Sequence, residues 1–356
     1  MIVFYIIFFF LATGYLLQLF NIIGNGPYEK ILLALIALLL LLIASFNTTS
    51  NDYNAYVQMF QQAAILPFHL YQEIHGEFIF LTISGFIYKT FNSPTNVFLF
   101  FSIISIFITF KIIFKDSKLA FLSVLIYLSH AFLNKEMIQI RAGIASAIIL
   151  FAISMQAKGE NKKALFLIII SSLFHTSALV ALLPYTICLV FKNEKQVRMA
   201  YILLFLSFVF YLSGGFELLI SILQTLGLLS EKVTTYLGWK EYNYDLGILN
   251  PNTIKQLFLL VISIYFFNKS KFYTTYFCYF YIGICWLIGF SSMAIIAARV
   301  SSILNVSELI LIPTIIINTK KNRIFLGILF LALYTSMFII NIEYKTIIKS
   351  LDFGVI

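Results

Sequence analysis

The chain has 356 residues, of which 61% are hydrophobic and 11% charged, with 39 Phe and 21 Tyr. A soluble domain carries about 25% charged residues, so a soluble enzyme, a DNA-binding domain and a disordered chain are excluded; the composition is that of a polytopic membrane protein. The net charge of +9, from 24 Lys+Arg against 15 Asp+Glu, marks cytoplasmic loops and calls for no nucleic-acid partner.

The first apolar run, Ile2 to Phe20, is long enough to span at 1.5 Å per residue. It lacks the basic flank and small-residue cleavage site of a signal peptide and reads as a retained helix. Further runs lie at about 30–46, 97–114, 118–134, 142–157, 164–175, 177–191, 199–213, 254–268, 272–290, 300–318 and 323–340, with a weaker run at 78–91. They predict a single all-α transmembrane domain over 1–356 with about 12–13 spanning helices. None shows the alternation of a membrane barrel, and no internal repeat is visible. Cys188, Cys278 and Cys285 sit in apolar runs and form neither a metal spacing nor a disulfide framework.

The basic loops Lys111–Lys118, Lys158–Lys163, Lys192–Arg198, Lys269–Lys271 and Lys320–Arg323 are placed in the cytoplasm by the positive-inside rule. The loops at about 135–141, 214–253 and 291–299 are then external. Segment 47–76 has no Lys or Arg but carries Asp52 and Glu73, so it is external too. For parity, the short run 78–91 then lies on the membrane or re-enters it, and 47–96 forms one external region with both chain termini outside; should 78–91 span instead, the N-terminal part inverts.

Only 28 residues separate Lys163 from Lys192. Two helices of about 14 residues, roughly 21 Å each, cannot cross a hydrocarbon core of about 30 Å. The tip at Phe174-His175-Thr176 therefore stays within the membrane. Non-helical backbone survives there only inside protein or against a wet cavity, so His175 is expected at the floor of a cavity open to the outside.

A few polar groups need a reason. Arg141 begins a helix, in Gln139-Ile140-Arg141-Ala142-Gly143; its fork suits phosphate oxygens, though an Arg at a helix end can also simply snorkel. Of four Arg, Arg198 and Arg323 lie in basic loops, whereas Arg141 and Arg299 fall in external positions, where an anion would explain them; for Arg299 a pair with Glu308 is the alternative. Asp52 and Glu77 can act as acids or bases, or merely cap the helices that follow them. His175 can serve chemistry or be a buried imidazole on a carbonyl. No nucleotide loop, zinc cluster or serine elbow is present; His69 and His75 stand six apart without further ligands.

Taken in order, Asn51-Asp52-Tyr53-Asn54-Ala55-Tyr56, Gly76-Glu77-Phe78, Gln139-Ile140-Arg141-Ala142-Gly143-Ile144-Ala145 and Phe174-His175-Thr176-Ser177-Ala178-Leu179 form a pattern that resembles the EpsG family, which includes Wzy-type O-antigen and capsule polymerases. The family reads roughly Ile-Arg-Gln-Gly-Ile-Ala where this chain has Ala142, so no role carries over to that position. The resemblance covers residues 47–180. It implies an enzyme that joins oligosaccharide repeat units carried on undecaprenyl pyrophosphate, outside the bacterial inner membrane. It also implies a fold like the multi-spanning (GT-C-like) glycosyltransferases, with no metal or cofactor required and a separate chain-length regulator as a potential partner.

Under that resemblance Asp52, Glu77 and His175 are the catalytic candidates, and Arg141 and Arg299 the pyrophosphate ligands. Tyr53, Tyr56, Gln139, Tyr242 and Tyr244 are the sugar contacts. A polysaccharide-lipid flippase would also need a cationic aromatic cavity, but should show repeats and open to the cytoplasm. A ligase transferring finished glycan would need almost the same site.

Overall fold

The computed structural model describes residues 1–24, 26–227, 238, 244–319 and 321–344. Helices α1 Ile2–Leu19 and α2 Pro27–Ser45 form a first pair, followed by α3 Tyr53–Ile65 and α4 Phe78–Phe91. Next come α5 Pro94–Asp116, α6 Ala120–Ile126, α7 Ile140–Ala157, α8 Asn161–Ser172 and α9 Leu182–Val190. The C-terminal half holds α10 Gln196–Leu212, α11 Gly215–Thr225, α12 Pro251–Tyr265, α13 Lys271–Gly289, α14 Ala294–Leu304, α15 Glu308–Asn318 and α16 Arg323–Ile339. Pro at the first turn of α2, α5 and α12 costs no hydrogen bond, because the missing N–H is one the helix start leaves unpaired.

The protein is an all-α polytopic membrane protein. Among the described residues eight helical stretches are long and apolar enough to cross a membrane, fewer than the twelve or thirteen expected. The difference lies in apolar runs that are broken or too short: 78–91 and 254–268 are continuous helices of only 14 and 15 residues, α4 and α12. Run 118–134 splits into the seven-residue α6 and a π-helical stretch, Tyr127–Glu136. Runs 164–175 and 177–191 become α8, of 12 residues, and a hairpin return in which a 3-10 turn, Thr176–Ala181, leads into α9. The helix breaks at Leu173-Phe174-His175, the expected tip, with His175 in extended backbone (φ −154°, ψ 112°). The expected loop at 291–299 is shorter, because α14 begins at Ala294 and carries Arg299 within it.

Helix α13 is the hub. Tyr273, Tyr276, Tyr279 and Tyr281 are fully buried on it, and each hydroxyl finds an acceptor, as buried phenols must. Tyr276 donates to Asp116 Oδ2 at 2.8 Å, Tyr279 to Gln156 Oε1 at 2.8 Å and Tyr281 to Gln196 Oε1 at 3.0 Å.

The basic loops gather at one end. Lys158 pairs with Asp116 at 2.7 Å, Lys269 with Glu194 at 3.3 Å, and Arg323 donates to the Gln18 carbonyl at the end of α1. Arg141 and Lys158 bracket α7, whose 18 residues span about 27 Å. Arg141 therefore lies at the opposite end of the bundle from the basic loops.

Region 47–96 is fastened to that opposite end by its own apolar cluster. Tyr56, Met59 and Phe60 of α3 and Phe80 and Leu81 of α4 pack with Phe98 and Phe101 of α5, Ile140 and Ile144 of α7, and Phe174 of the hairpin tip. Helices α3 and α4 touch backbone to side: a Cβ at Gly85 would stand 2.5 Å from the Ala63 carbonyl oxygen, so only glycine permits this approach. The cluster thus holds Asp52 and Glu77 against the start of α7 and the tip of the hairpin.

Candidate functional site

Glu77 is the organising group. It precedes α4, but its side chain does not cap that helix. Instead Arg141 Nη1 donates to Glu77 Oε2 at 2.9 Å. The Thr176 amide donates to Oε1 at 3.1 Å and the Thr176 hydroxyl at 3.3 Å. His175 Nδ1 stands 3.6 Å from Oε1, beyond hydrogen-bond distance. Burial works against ionisation of Glu77, yet His175, Arg141 and the Thr176 amide outweigh it and hold the carboxyl well below the usual carboxylate range. A carboxylate so stabilised is a weak base, and its contact holds the Arg141 side chain in place.

Arg141 spends one of its five N–H donors on that pair. Its guanidinium lies 5.9 Å from the ring centroids of both Tyr56 and Phe80, within cation–π range. With the Glu77 pair, these contacts keep the guanidinium largely buried among protein groups, which argues against a snorkelling Arg.

Asp52 precedes α3 and also makes no capping bond. Burial pushes its carboxyl up, and the nearby Arg299 and Arg141 only partly oppose this. Asp52, Tyr56, Gln139, Arg141, His175 and Arg299 line one cavity of about 40 Å3, with Ala142. One water needs about 10–15 Å3, so the cavity can enclose an oxygen cluster but not a sugar; a larger ligand lies across its mouth. Residues from α3, α7, the hairpin tip and α14 thus meet in one polar cavity, with Glu77 bracing two of them from behind.

Other candidates fall elsewhere. Tyr53 stacks on Phe98 with centroids 5.3 Å apart and does not line the cavity. Tyr56 does line it, but as a buried ring beneath Arg141 and not as an open platform. Tyr244 is exposed, and its carbonyl accepts from the Ala294 amide. Tyr242 lies outside the described residues. Glu308 is held by Lys255 at 3.2 Å, by the Gln256 amide and by Tyr334 at 2.9 Å; these groups occupy the carboxylate that the alternative reading gave to Arg299.

The sequence reading missed Lys135 and Glu136, placed in an external loop but buried. Lys135 Nζ donates to the Ser146 hydroxyl and the Ser302 carbonyl. Glu136 accepts from Ser105 at 2.6 Å and Tyr127 at 3.0 Å. A Cβ at Gly143 would stand 3.1 Å from Glu136 Oε2, so that glycine makes room for a carboxylate more than for a helix. The available signal was an adjacent Lys-Glu ending an apolar run, ahead of the Arg141 helix. Among the described residues no three His, Cys, Asp or Glu side chains converge on a point that could hold a metal ion.

The profile of the EpsG family matches residues 30–350. The amylovoran biosynthesis protein AmsC of Erwinia amylovora is 26% identical over 235 residues, which are 63% of this chain and 60% of that protein. The chain thus matches less than two thirds of that relative's length. No solved structure matches.

Proposed function

Since the chain belongs to the EpsG family, we propose that it joins oligosaccharide repeat units into a polysaccharide, taking both units as undecaprenyl-pyrophosphate-linked substrates at the outer face of the bacterial inner membrane. The observation that carries this reading is the convergence of Asp52, Arg141, His175 and Arg299 on one polar cavity, at the end of the bundle away from the basic loops. By the positive-inside rule that end faces outward. The relationship to a protein named for amylovoran biosynthesis supports polysaccharide as the product.

In this reading a hydroxyl of the acceptor repeat unit attacks the anomeric carbon of the growing chain. The new glycosidic C–O bond forms as the bond to the carrier pyrophosphate breaks. Asp52, whose carboxyl is raised by burial, takes the hydroxyl proton. Arg141 and Arg299 meet the charge that develops on the departing pyrophosphate. Arg141 does so from a position fixed by Glu77, Tyr56 and Phe80, so little reorganisation accompanies the reaction. His175, held near Glu77 at the hairpin tip, contacts the acceptor sugar or the pyrophosphate as a hydrogen-bonding group. The step as drawn needs no metal: its cations are the two arginines.

The lipid-linked glycan profile of a cell lacking this protein tests the function. Accumulation of single repeats on the carrier is the expected result. Loss of repeats at the outer face would instead mean a flippase, and long chains left unattached would mean a ligase.

A further inference from the structure

A groove of about 730 Å3 runs between α2 and α5 and shares no residue with the Arg141 cavity. Its volume is that of a ligand pocket, about 300–1,000 Å3. Lys30, Ala34 and Leu41 mark the α2 wall and Ile103, Phe107 and Lys115 the α5 wall, each along one helical stripe.

The two helices run antiparallel. Gln18, at the end of α1, donates to Glu29 at the start of α2 at 2.7 Å, and the Gln18 carbonyl accepts from Arg323. The start of α2 therefore lies at the basic end of the bundle. Asn47, just past the other end of α2, donates to the Met137 carbonyl at 3.2 Å, close to Arg141 in the chain. Helix α5 ends at Asp116, the partner of Lys158. Lys30, Lys111 and Lys115 consequently line the groove at its basic end, which the positive-inside rule turns to the cytoplasm.

An apolar wall alone shows only that lipid surrounds it; charge and depth select the occupant. Among the described residues none of the three lysines forms an ion pair. The acids around them are already matched: Asp116 by Lys158, Glu160 by Lys163 and Glu29 by the Gln18 amide. Lys111 stands one turn deeper than Lys115, about 6 Å along the helix, with its Nζ 5.5 Å from the Phe151 ring centroid. Its charge is thus carried at the top of the apolar wall, beyond the loop. From Lys30 to Leu41 the groove descends about 16 Å, and from Lys115 to Ile103 about 18 Å. Half of a hydrocarbon core is about 15 Å, so the groove is one leaflet deep. A polyprenyl carrier chain far exceeds that depth.

We propose that this groove binds one anionic phospholipid of the cytoplasmic leaflet. An acyl chain lies along the apolar wall, and Lys30, Lys111 and Lys115 meet the phosphodiester, as basic pockets between membrane helices do. The inference rests on the orientation of the bundle and is independent of the polymerase reading. Helix α5 is the main neighbour of α2, so the bound lipid helps to fasten α2 to the bundle.

Native mass spectrometry of the purified full-length protein in neutral detergent tests this, with phosphatidylglycerol or phosphatidylcholine of the same acyl chains as probes. Three variants separate the groove from diffuse charge. Lys30→Gln/Lys111→Gln/Lys115→Gln removes the basic mouth. Lys162→Gln/Lys192→Gln/Lys195→Gln removes as much charge from exposed positions outside the groove. Ala34 is exposed on the groove wall, so Ala34→Trp fills the apolar part and keeps all three lysines. The wild type should bind phosphatidylglycerol at least tenfold more tightly than phosphatidylcholine. The first triple variant and Ala34→Trp should each lose that preference, and the second triple variant should keep it. Equal binding of the two lipids by the wild type would overturn the proposal. So would equal losses in the two triple variants, which would mean diffuse charge, or unchanged binding by Ala34→Trp. Displacement of bound phosphatidylglycerol by an equal concentration of undecaprenyl phosphate would make the groove a carrier site and overturn it too.

Discussion

At the scale of single residues, Asp52 and Glu77 have opposite electrostatic settings. Glu77 is spent on holding Arg141 and is stabilised as a carboxylate; Asp52 is buried with its carboxyl pushed up. Loss of activity on the acid side should therefore follow Asp52. As pH falls, Asp52 takes up its proton first and can no longer accept one from the acceptor hydroxyl, while Glu77 stays ionised until much lower pH. We expect polymer formation by isolated membranes to decline at a pH above the ordinary carboxylate pKa of about 4, and Asp52→Asn to be inactive throughout. An Asp52→Asn variant with wild-type yield would remove it as the base.

The same scale sets the expectation for Arg141. Lys keeps the charge but loses the planar fork, and it cannot both reach Glu77 and present further donors in fixed directions. Arg141→Lys should cut polymer yield at least tenfold, nearly as far as Arg141→Ala, with the protein inserted at normal level; tenfold corresponds to about 1.4 kcal/mol. Normal polymer from the Lys variant would make Arg141 a nonspecific charge. These acids and Arg141 were legible in the sequence because charge is scarce in this chain. Lys135 and Glu136 were misplaced because their burial depends on Ser105, Ser146 and Ser302, partners brought in from distant helices. For the tyrosines the sequence shows only aromatic residues in a polar segment; that Tyr53 stacks on Phe98 and Tyr56 lies under Arg141 depends on the packing of α3 against α5 and α7.

At the scale of elements, the hairpin was readable from length alone. Two Lys clusters read as lying on one side of the membrane, but too close in sequence for two full spans, call for a break, and the break falls at His175. The run 118–134 was not readable: an apolar stretch carries no mark of where α-helical winding widens into π, a change that tertiary partners stabilise. His175 gives the functional test of the hairpin. If it positions substrate, His175→Gln should retain polymer formation and His175→Ala lose most of it. If both are inactive at normal protein level, proton transfer by the imidazole is required. If both are active, the tip has no part in the site. The α3–α4 contact has a test of its own. Gly85→Ala drives a methyl into the Ala63 carbonyl, where backbone cannot yield cheaply, and overpacking of this kind costs about 1–3 kcal/mol. Because Glu77 leads α4, polymer yield should fall along with thermal stability; wild-type yield with unchanged melting would show that the two helices do not hold the acid in place.

At the scale of the whole molecule, charge and chemistry separate to opposite ends. Asp116, Lys158, Glu194, Lys269 and Arg323 knit one end; Asp52, Glu77, Arg141, His175 and Arg299 gather at the other. Under the proposed function this polarity gives a lipid-linked donor and acceptor a common surface, with their phosphates near the arginines. It also fixes the topology to be checked: in a cysteine-free background, a cysteine at Glu160 should react with an impermeant maleimide only after permeabilisation, and one at Tyr244 from outside. Reaction at 160 in intact cells would invert the arrangement.

The central claim is that this chain by itself joins lipid-linked repeat units. The direct measurement uses the purified protein in lipid nanodiscs with the undecaprenyl-pyrophosphate-linked repeat unit as the sole substrate, resolving products by gel or mass spectrometry. The account predicts a ladder of products differing by one repeat unit, with carrier pyrophosphate released in step and the ladder absent for Arg141→Lys. Folded protein that leaves the substrate as single repeats, or an Arg141→Lys variant that builds the same ladder, would contradict it.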